Sequence, residues 1–164
     1  MTEVDLSPSS FRDALAAYPT GVTVVTAFGA DGRLSGATAN AVTSLSLEPP
    51  MMLACLDRGS RTLASVREAG RFGVNALAAG QQALARRFAG KYPEAEKWEG
   101  VGQSESRGSP RLEDALVWVA CELRDVIEAG DHVILTGTAL EAEARDGLPL
   151  LFHRGAYRDL LAES

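Results

Sequence analysis

The chain has 164 residues, 46% of them hydrophobic, which favours one compact domain with a substantial core and argues against a second full domain. The net charge of −6 and the isoelectric point near 4.9 argue against nucleic-acid binding, because phosphate backbones are bound by clustered cations. The first residues have neither a basic start nor an apolar segment, and no stretch reaches the roughly 18 apolar residues of a membrane span. We therefore expect a soluble, cytoplasmic protein.

Motifs for metal binding, nucleotide binding and hydrolysis are missing from the sequence. Cys55 and Cys121 lie in apolar, strand-like runs, with no second Cys or His at metal-ligand spacing. Because His132 and His153 are the only histidines, we predict no metal centre. Neither a dinucleotide-binding glycine motif nor a P-loop is present, and a hydrolase is unsupported.

The amino-terminal part predicts a helix followed by a β-hairpin. Residues 7–18 favour a helix, in which Ser10 and Asp13 resemble a capping box. The β-branched residues 21–28 predict a strand, and Gly29-Ala-Asp-Gly32 is a strong signal for a hairpin turn. Pro49 and Pro50 then interrupt the pairing before a third strand, at residues 51–56, because proline cannot donate to a ladder.

Residues 36–50, which form the returning strand of this hairpin, are rich in small and hydroxyl-bearing side chains. With the period of two of a strand, one face carries Ala37, Ala39, Ala41, Thr43, Leu45 and Leu47, and the other carries Gly36, Thr38, Asn40, Val42, Ser44 and Ser46. The second face has so little bulk that a flat heteroaromatic ligand could lie against the backbone. The alternative is a Thr- and Ser-rich solvated face of an antiparallel sheet.

A second candidate feature is a helix start at Ser60. Ser60 is a good N-cap and Thr62 lies in the first turn, so their hydroxyls and the exposed N–H groups could hold a phosphate. The alternative is an ordinary helix cap. Residues 71–77 predict a strand, and residues 81–88 predict a short helix that carries Arg86 and Arg87. At most one of these two consecutive arginines is expected to point towards a given contact, and the alternative is that both are solvated. Residues 91–111 predict a long irregular lid or rim over a site.

The carboxy-terminal part predicts further hairpins. A long strand at residues 112–128 is followed by a turn at 129–132, a strand at 133–140 and two short segments at 148–152 and 153–157. The chain then has about six or seven strands and about three helices, joined by short connections. The predicted fold class is mainly β with peripheral helices, arranged as an antiparallel, Greek-key-like barrel.

These features together suit a phosphorylated planar cofactor, which needs from the protein only binding, orientation and electrostatics. A set of short motifs in a characteristic order is more specific than these separate features. They are Phe11-Arg-Asp-Ala-Leu, residues 19–26, Asp31-Gly32, residues 38–50, Ser60-x-Thr62, Phe72-Gly-Val-Asn75-x-Leu77, residues 84–89, Gly130-Asp-His132 and Phe152-His-Arg-Gly-x-Tyr157. In order and spacing, over residues 11–158, they resemble the flavin reductase family of two-component flavin-dependent monooxygenases.

The resemblance implies an FMN-binding split β-barrel, with residues 1–164 forming one flavin reductase-like domain whose structured core covers about residues 8–160. It implies a homodimer with each site near the subunit interface. It also implies that NADH or NADPH reduces FMN or FAD, and that the reduced flavin diffuses to a partner flavin-dependent monooxygenase. We expect the nicotinamide C4 hydride to meet flavin N5 at about 3–3.5 Å.

By motif position, the resemblance implies that His132 is the catalytic residue beside the nicotinamide. The implied flavin-binding residues are Thr38, Ala39, Asn40, Ala41, Thr43, Ser44, Cys55, Ser60, Thr62, Arg87, Phe88 and Tyr157. Of these, Ser60, Thr62 and Arg87 are expected to hold the phosphate. Ala41 and Val42 stand where many relatives have Ser and Phe. The alternative for His132 is a turn residue that meets only solvent.

Two other functions are compatible with such a barrel. One is a non-catalytic flavin-binding protein, a carrier or sensor, which would bind flavin without oxidising NAD(P)H. The other is a pyridoxamine-phosphate-oxidase-like enzyme, against which the turn at residues 130–132 and the run at residues 38–50 count.

Overall fold

The computed structural model describes residues 6–160, which are mainly β with few helices. The helices are α1 (Pro8–Ala16), α2 (Arg61–Ala69), α3 (Gln82–Ala89) and α4 (Glu94–Trp98). The strands are β1 (Thr20–Gly21), β2 (Thr23–Phe28), β3 (Leu34–Ala39), β4 (Val42–Leu47), β5 (Pro50–Asp57), β6 (Arg71–Ala76), β7 (Gln103–Ser106), β8 (Ser109–Leu112), β9 (Val117–Ala129), β10 (His132–Ala144), β11 (Leu150–His153) and β12 (Ala156–Asp159). The predicted class, mainly β, is confirmed.

Within residues 6–160, the strands form three antiparallel sheets. The main sheet has seven strands in the order β3-β2-β6-β9-β10-β5-β4, while β1, β11 and β12 form a second sheet and β7 and β8 a hairpin. Strands β3 and β4 lie at opposite edges of the main sheet, although only Asn40 and Ala41 separate them in the chain. Because three peptide steps span at most about 11 Å, the main sheet must curve until its edges approach each other there. No ladder joins β3 to β4 in the part of the chain that the structure describes.

In the described part of the chain, two apolar clusters form the core. The first lies between the main sheet and α2 and includes the buried side chains of Leu63, Val66, Phe72 and Leu135. The second lies under α3 and α4 and includes the buried side chains of Leu77, Phe88, Trp98, Leu112 and Leu150. Both α3 and α4 pack on β3, so the second cluster covers that edge of the main sheet.

Serine caps begin the first two helices. Ser7 Oγ accepts a hydrogen bond from Ser10 N at 3.1 Å, so the predicted capping box at Ser10 and Asp13 is wrong: the helix begins earlier and Ser7 is its cap. Ser60 Oγ accepts from Leu63 N at 3.4 Å, which confirms the predicted cap of α2.

Two predicted segments differ from the structure. Residues 36–50 are not one strand but two, because the chain leaves β3 at Asn40 and enters β4 at the other edge of the main sheet. Residues 91–111 are not irregular: they contain α4, β7 and part of β8, and Lys97 and Trp98 are buried. A local turn without glycine or proline and a helix of only five residues gave weak sequence signals.

The predicted strand at residues 112–128 is also divided. Leu112 ends β8, and a separate long strand, β9, begins at Val117. The hairpin turn between β9 and β10 is at the predicted place. Over residues 6–160 the structure has twelve strands and four helices, more than predicted, because several strands have only two to four residues.

No helix within residues 6–160 is long and apolar enough to cross a membrane. In the same range, no three or more His, Cys, Asp or Glu side chains are grouped so that they could hold a metal ion.

Candidate functional site

A cavity of about 540 Å³ lies between the edge of β3, the end of β5, the start of α2 and helices α3 and α4. It is lined by Ala37, Thr38, Asp57, Gly59, Ser60, Arg61, Thr62, Phe88, Ala89, Gly90, Lys91, Glu94 and Lys97. Four of the predicted flavin-binding residues are therefore brought together here: Thr38, Ser60, Thr62 and Phe88.

The β3 side of the cavity presents backbone rather than side-chain groups. The Thr38 hydroxyl donates to Ala85 O at 2.7 Å, so α3 already uses it. At Gly36 the backbone N–H and C=O bond to side chains of α4, and so point away from β2. Backbone groups of a strand alternate in direction, so those of Thr38 point the same way as those of Gly36. The edge of β3 thus offers a donor and an acceptor on the cavity side.

The α2 side of the cavity presents the start of a helix. Thr62 is only 1% exposed and lies in the first turn. The first N–H groups of a helix have no intrahelical acceptor. Ser60 Oγ takes the N–H of Leu63, which leaves those of Arg61 and Thr62 for water or a ligand. These donors and the two hydroxyl side chains form an anion-binding arrangement.

Charged side chains surround the cavity, with three cations (Arg61, Lys91 and Lys97) against two carboxylates (Asp57 and Glu94). Arg61 Nε donates to Glu94 Oε1 at 3.2 Å, and a second guanidinium nitrogen contacts Tyr92 O. Lys97 Nζ lies 3.3 Å from Glu94 Oε1. The excess of one positive charge favours an anionic ligand.

The remaining predicted floor residues lie outside this cavity. Asn40, Ala41, Thr43 and Ser44 are exposed in the connection to β4 and in β4 itself, and Ala39 is buried. Cys55, half-buried on β5, donates its backbone N–H to Ala41 O at 2.9 Å. The single strand predicted for residues 36–50 is therefore broken at Asn40, and the structure does not bring residues 39–44 to the cavity.

Arg87 and Tyr157 also lie elsewhere. Arg87 Nη1 donates to Glu99 O at 2.8 Å, and its side chain lines a neighbouring cavity of about 480 Å³ together with Arg86 and Tyr92. Tyr157 packs edge-on against Phe152, with their ring centroids 5.3 Å apart, and Arg86 lies over its ring. The structure does not bring either residue to Ser60 and Thr62.

Phe88 supports the cavity from below. It is 1% exposed, its ring meets Trp98 edge-on at a centroid distance of 4.9 Å, and it lies against Gly36. A Cβ at residue 36 would come within 2.6 Å of Phe88 Cε1, so glycine is required for this close approach.

His132 lies at the turn between β9 and β10, exposed, with Nδ1 2.7 Å from Asp131 Oδ1. This hydrogen bond holds the pKa of Asp131 below its usual range. His132 is directly opposite Asp57 in the β5–β10 ladder, so the two side chains lie on the same face of the main sheet. Because Asp57 lines the cavity, His132 is placed beside that end of it.

Sequence reasoning missed Arg61, Glu94 and Lys97. Glu94 and Lys97 have the i, i+3 spacing of an ion pair on one helix face, and that spacing was the available signal. The prediction that residues 91–111 are irregular hides this spacing.

Comparison with known proteins gives the family. A model of the flavin reductase like domain matches residues 15–161. The chain is 42% identical over 160 residues to a "Probable flavin reductase" of Rhizobium meliloti (strain 1021). This match covers 96% of the present chain but only 50% of the relative's length. It is 40% identical over 152 residues to the reductase component of a Rhodococcus opacus 4-nitrophenol 4-monooxygenase/4-nitrocatechol 2-monooxygenase, covering 93% of this chain and 80% of that relative.

Solved structures agree with the sequence comparison. The NADH:FAD oxidoreductase of Streptomyces globisporus C-1027, in complex with NAD and FAD fragments, superposes with a TM-score of 0.88 at 30% identity and covers 99% of both chains. The resemblance seen in the sequence motifs is confirmed. The chain belongs to the flavin reductase family.

Proposed function

We propose that this chain is an NAD(P)H:flavin oxidoreductase that binds FMN or FAD as a substrate and releases reduced flavin to a partner flavin-dependent monooxygenase. The observation that carries the proposal is the cavity itself, where the edge of β3 faces the free N–H groups of α2. The names of two relatives, a monooxygenase reductase component and an NADH:FAD oxidoreductase, point to the same reaction.

The residues around the cavity fit a flavin phosphate. Ser60, Thr62 and the first N–H groups of α2 supply donors, and the lining cations exceed the carboxylates. The small residues Ala37, Ala89 and Gly90 leave room for a planar ring beside the backbone of Thr38. Flavin itself supplies the redox chemistry, by accepting a hydride from the nicotinamide and carrying both electrons away.

His132 is proposed to orient the nicotinamide. Asp131 holds the ring through Nδ1, which leaves Nε2 to bond a ligand beside Asp57. Because a hydrogen bond contributes about 1 kcal/mol, we expect His132→Ala to lower kcat/KM for NADH about fivefold. The flavin KM should stay close to the parent's value. If His132→Ala oxidises NADH at the parent's rate, His132 does not orient the nicotinamide.

We also propose the barrel and the oligomeric state, both of which the family resemblance implies. A single reductase domain, with a structured core over about residues 8–160, would form a split β-barrel and a homodimer with the site near the subunit interface. The curvature that brings β3 towards β4 supports the barrel. We propose that flavin binding in that assembled form also involves Asn40, Ala41, Thr43, Ser44, Cys55, Arg87 and Tyr157.

A steady-state assay that crosses FMN, FAD and riboflavin with NADH and NADPH tests the proposal. We expect NAD(P)H oxidation that depends on added flavin, and the preferred pair identifies the physiological substrates. Flavin binding without NAD(P)H oxidation would instead indicate a carrier or sensor. Oxidation of pyridoxamine phosphate would indicate the third alternative.

A further inference from the structure

Glu94 of α4 joins the two walls of the cavity. Its Oε2 accepts the backbone N–H of Gly36 on β3 at 3.1 Å, and its Oε1 accepts from Arg61 Nε at the start of α2 at 3.2 Å. The Glu94 side chain is only 17% exposed. One carboxylate therefore connects the wall expected to face the flavin ring with the wall expected to face the flavin phosphate.

Lys97, one helical turn later, completes the arrangement. Its Nζ donates to Gly36 O at 3.1 Å and lies 3.3 Å from Glu94 Oε1. With 7% of its side chain exposed, this cation is buried, and a buried ammonium is costly unless it is paired and hydrogen-bonded. Glu94 and Lys97 thus occupy both outward backbone groups of Gly36, which an edge strand otherwise leaves to a neighbouring strand or water.

The contacts at Gly36 also affect Thr38, which lines the cavity. Gly36 precedes Thr38 by two positions on β3, so fixing the backbone of Gly36 fixes the direction of the next outward-pointing groups, those of Thr38. The Thr38 side chain is itself held by Ala85 O on α3. Arg61, held by the same carboxylate, directly follows the Ser60 cap and shares its first turn with Thr62.

We propose that Glu94, supported by Lys97, is a positioning residue of the flavin site that sets the spacing between the ring-binding edge of β3 and the phosphate-binding start of α2. The proposal rests on the proposed function, since it assumes a flavin that spans both walls. It adds that α4 tunes affinity for phosphorylated flavins without touching the nicotinamide.

The test compares Glu94→Gln with the matched variant Glu122→Gln, which neutralises a carboxylate paired with Arg71 at 3.1 Å, outside the cavity lining. Glutamine can still accept from Gly36 N–H, but its amide nitrogen cannot accept from Arg61 or Lys97. Removing the carboxylate leaves one more positive charge beside the cavity, which by itself would tighten FMN, so a weaker FMN site reports lost positioning. We expect Glu94→Gln to raise the KM for FMN about tenfold, against less than about threefold for riboflavin, which lacks the phosphate. The KM for NADH and all constants of Glu122→Gln should stay within about twofold of the parent.

Two further variants separate positioning from folding. Glu94→Gln leaves the buried Lys97 without its carboxylate partner and should lower the melting temperature. In Glu94→Gln/Lys97→Met no unpaired buried cation remains, so the melting temperature should recover, while the reduced preference for FMN over riboflavin persists. Lys97→Arg keeps the cation and should retain most of the parent's discrimination. Equal changes for FMN, riboflavin and NADH, or recovery of discrimination in the double variant, would overturn the proposal.

Direct binding keeps this result distinct from failure of the proposed function. Quenching of flavin fluorescence measures the Kd for FMN and riboflavin without turnover. If the parent binds FMN but oxidises no NAD(P)H, the reductase function fails while the positioning role is still decided by the Kd ratios. A parent that binds neither flavin overturns both.

Discussion

The two edges of the main sheet differ in how they are covered. At the β3 edge, α3 and α4 pack over the strand, and side chains of α4 bond the backbone of Gly36. At the β4 edge, Leu45 and Leu47 are exposed, Leu47 by 85%. The comparison shows that a covered edge becomes a wall of a cavity, because the covering helices leave space between themselves and the strand. Neither of the two cavities described above is lined by a residue of β4.

The largest expected difference between the edges is in core packing. Phe88→Ala removes a buried ring beneath the β3 edge and should lower the free energy of unfolding by about 3–5 kcal/mol. Urea denaturation followed by circular dichroism measures this. Flavin binding should weaken as well, because Phe88 lines the cavity. A loss below about 1 kcal/mol would mean that the helices do not depend on this contact.

Adding a methyl group at the same edge should have a smaller effect. Gly36→Ala places a Cβ within 2.6 Å of Phe88 Cε1 and 3.2 Å of Trp98 Cζ2. Such overpacking should cost about 1–3 kcal/mol of unfolding free energy, since the rings must shift. Gly21→Ala is the matched control, because a Cβ at residue 21 meets nothing within 4 Å. Equal stability of the two variants would contradict the close approach.

Truncation at the other edge should have little effect on the isolated chain. Leu47→Ala should change the free energy of unfolding by less than about 0.5 kcal/mol, because the side chain is already in water. The same urea titration measures it. A large loss would show that the β4 edge is covered in solution, most simply by a second copy of the chain.

The reactivity of the two cysteines compares the β4 side of the main sheet with its middle, without a change in stability. Burial raises the pKa of Cys121, in the middle of the main sheet, to about 12, and it also raises the pKa of the half-buried Cys55, next to β4. Since the thiolate is the reactive form, Cys55 should react with a thiol reagent in the folded protein, faster as the pH rises. Cys121 should react only after unfolding. Cys55→Ser should abolish the native-state reaction, and equal rates for the two thiols would contradict this.

Local signals predicted much of the fold. The turn at Gly29–Gly32, the turn before His132 and the Ser60 cap each depend on a few neighbouring residues, and all three are where the sequence placed them. The break at Asn40 could not be predicted, because it is imposed by pairing of β4 with β5 and carries no glycine or proline. A sequence pattern with period two does not reveal that its two halves join different edges.

The candidate site shows the same limit. The convergence of Thr38 with Ser60 and Thr62 followed from family motifs, and the structure brings these residues to one cavity. Glu94 and Lys97 were missed because their importance comes from tertiary contacts with Gly36, which is distant in sequence. Arg87 was expected beside Ser60, but its helix directs it towards Glu99.

The short connection at Asn40 and Ala41 makes chain length a determinant of ligand fit. Opposite rims of a curved sheet are held here by a covalent tether as well as by packing, so inserting glycines at this point would let the rims spread. The shape of the pocket wall on β3 therefore depends on how tightly the polypeptide is drawn across the gap.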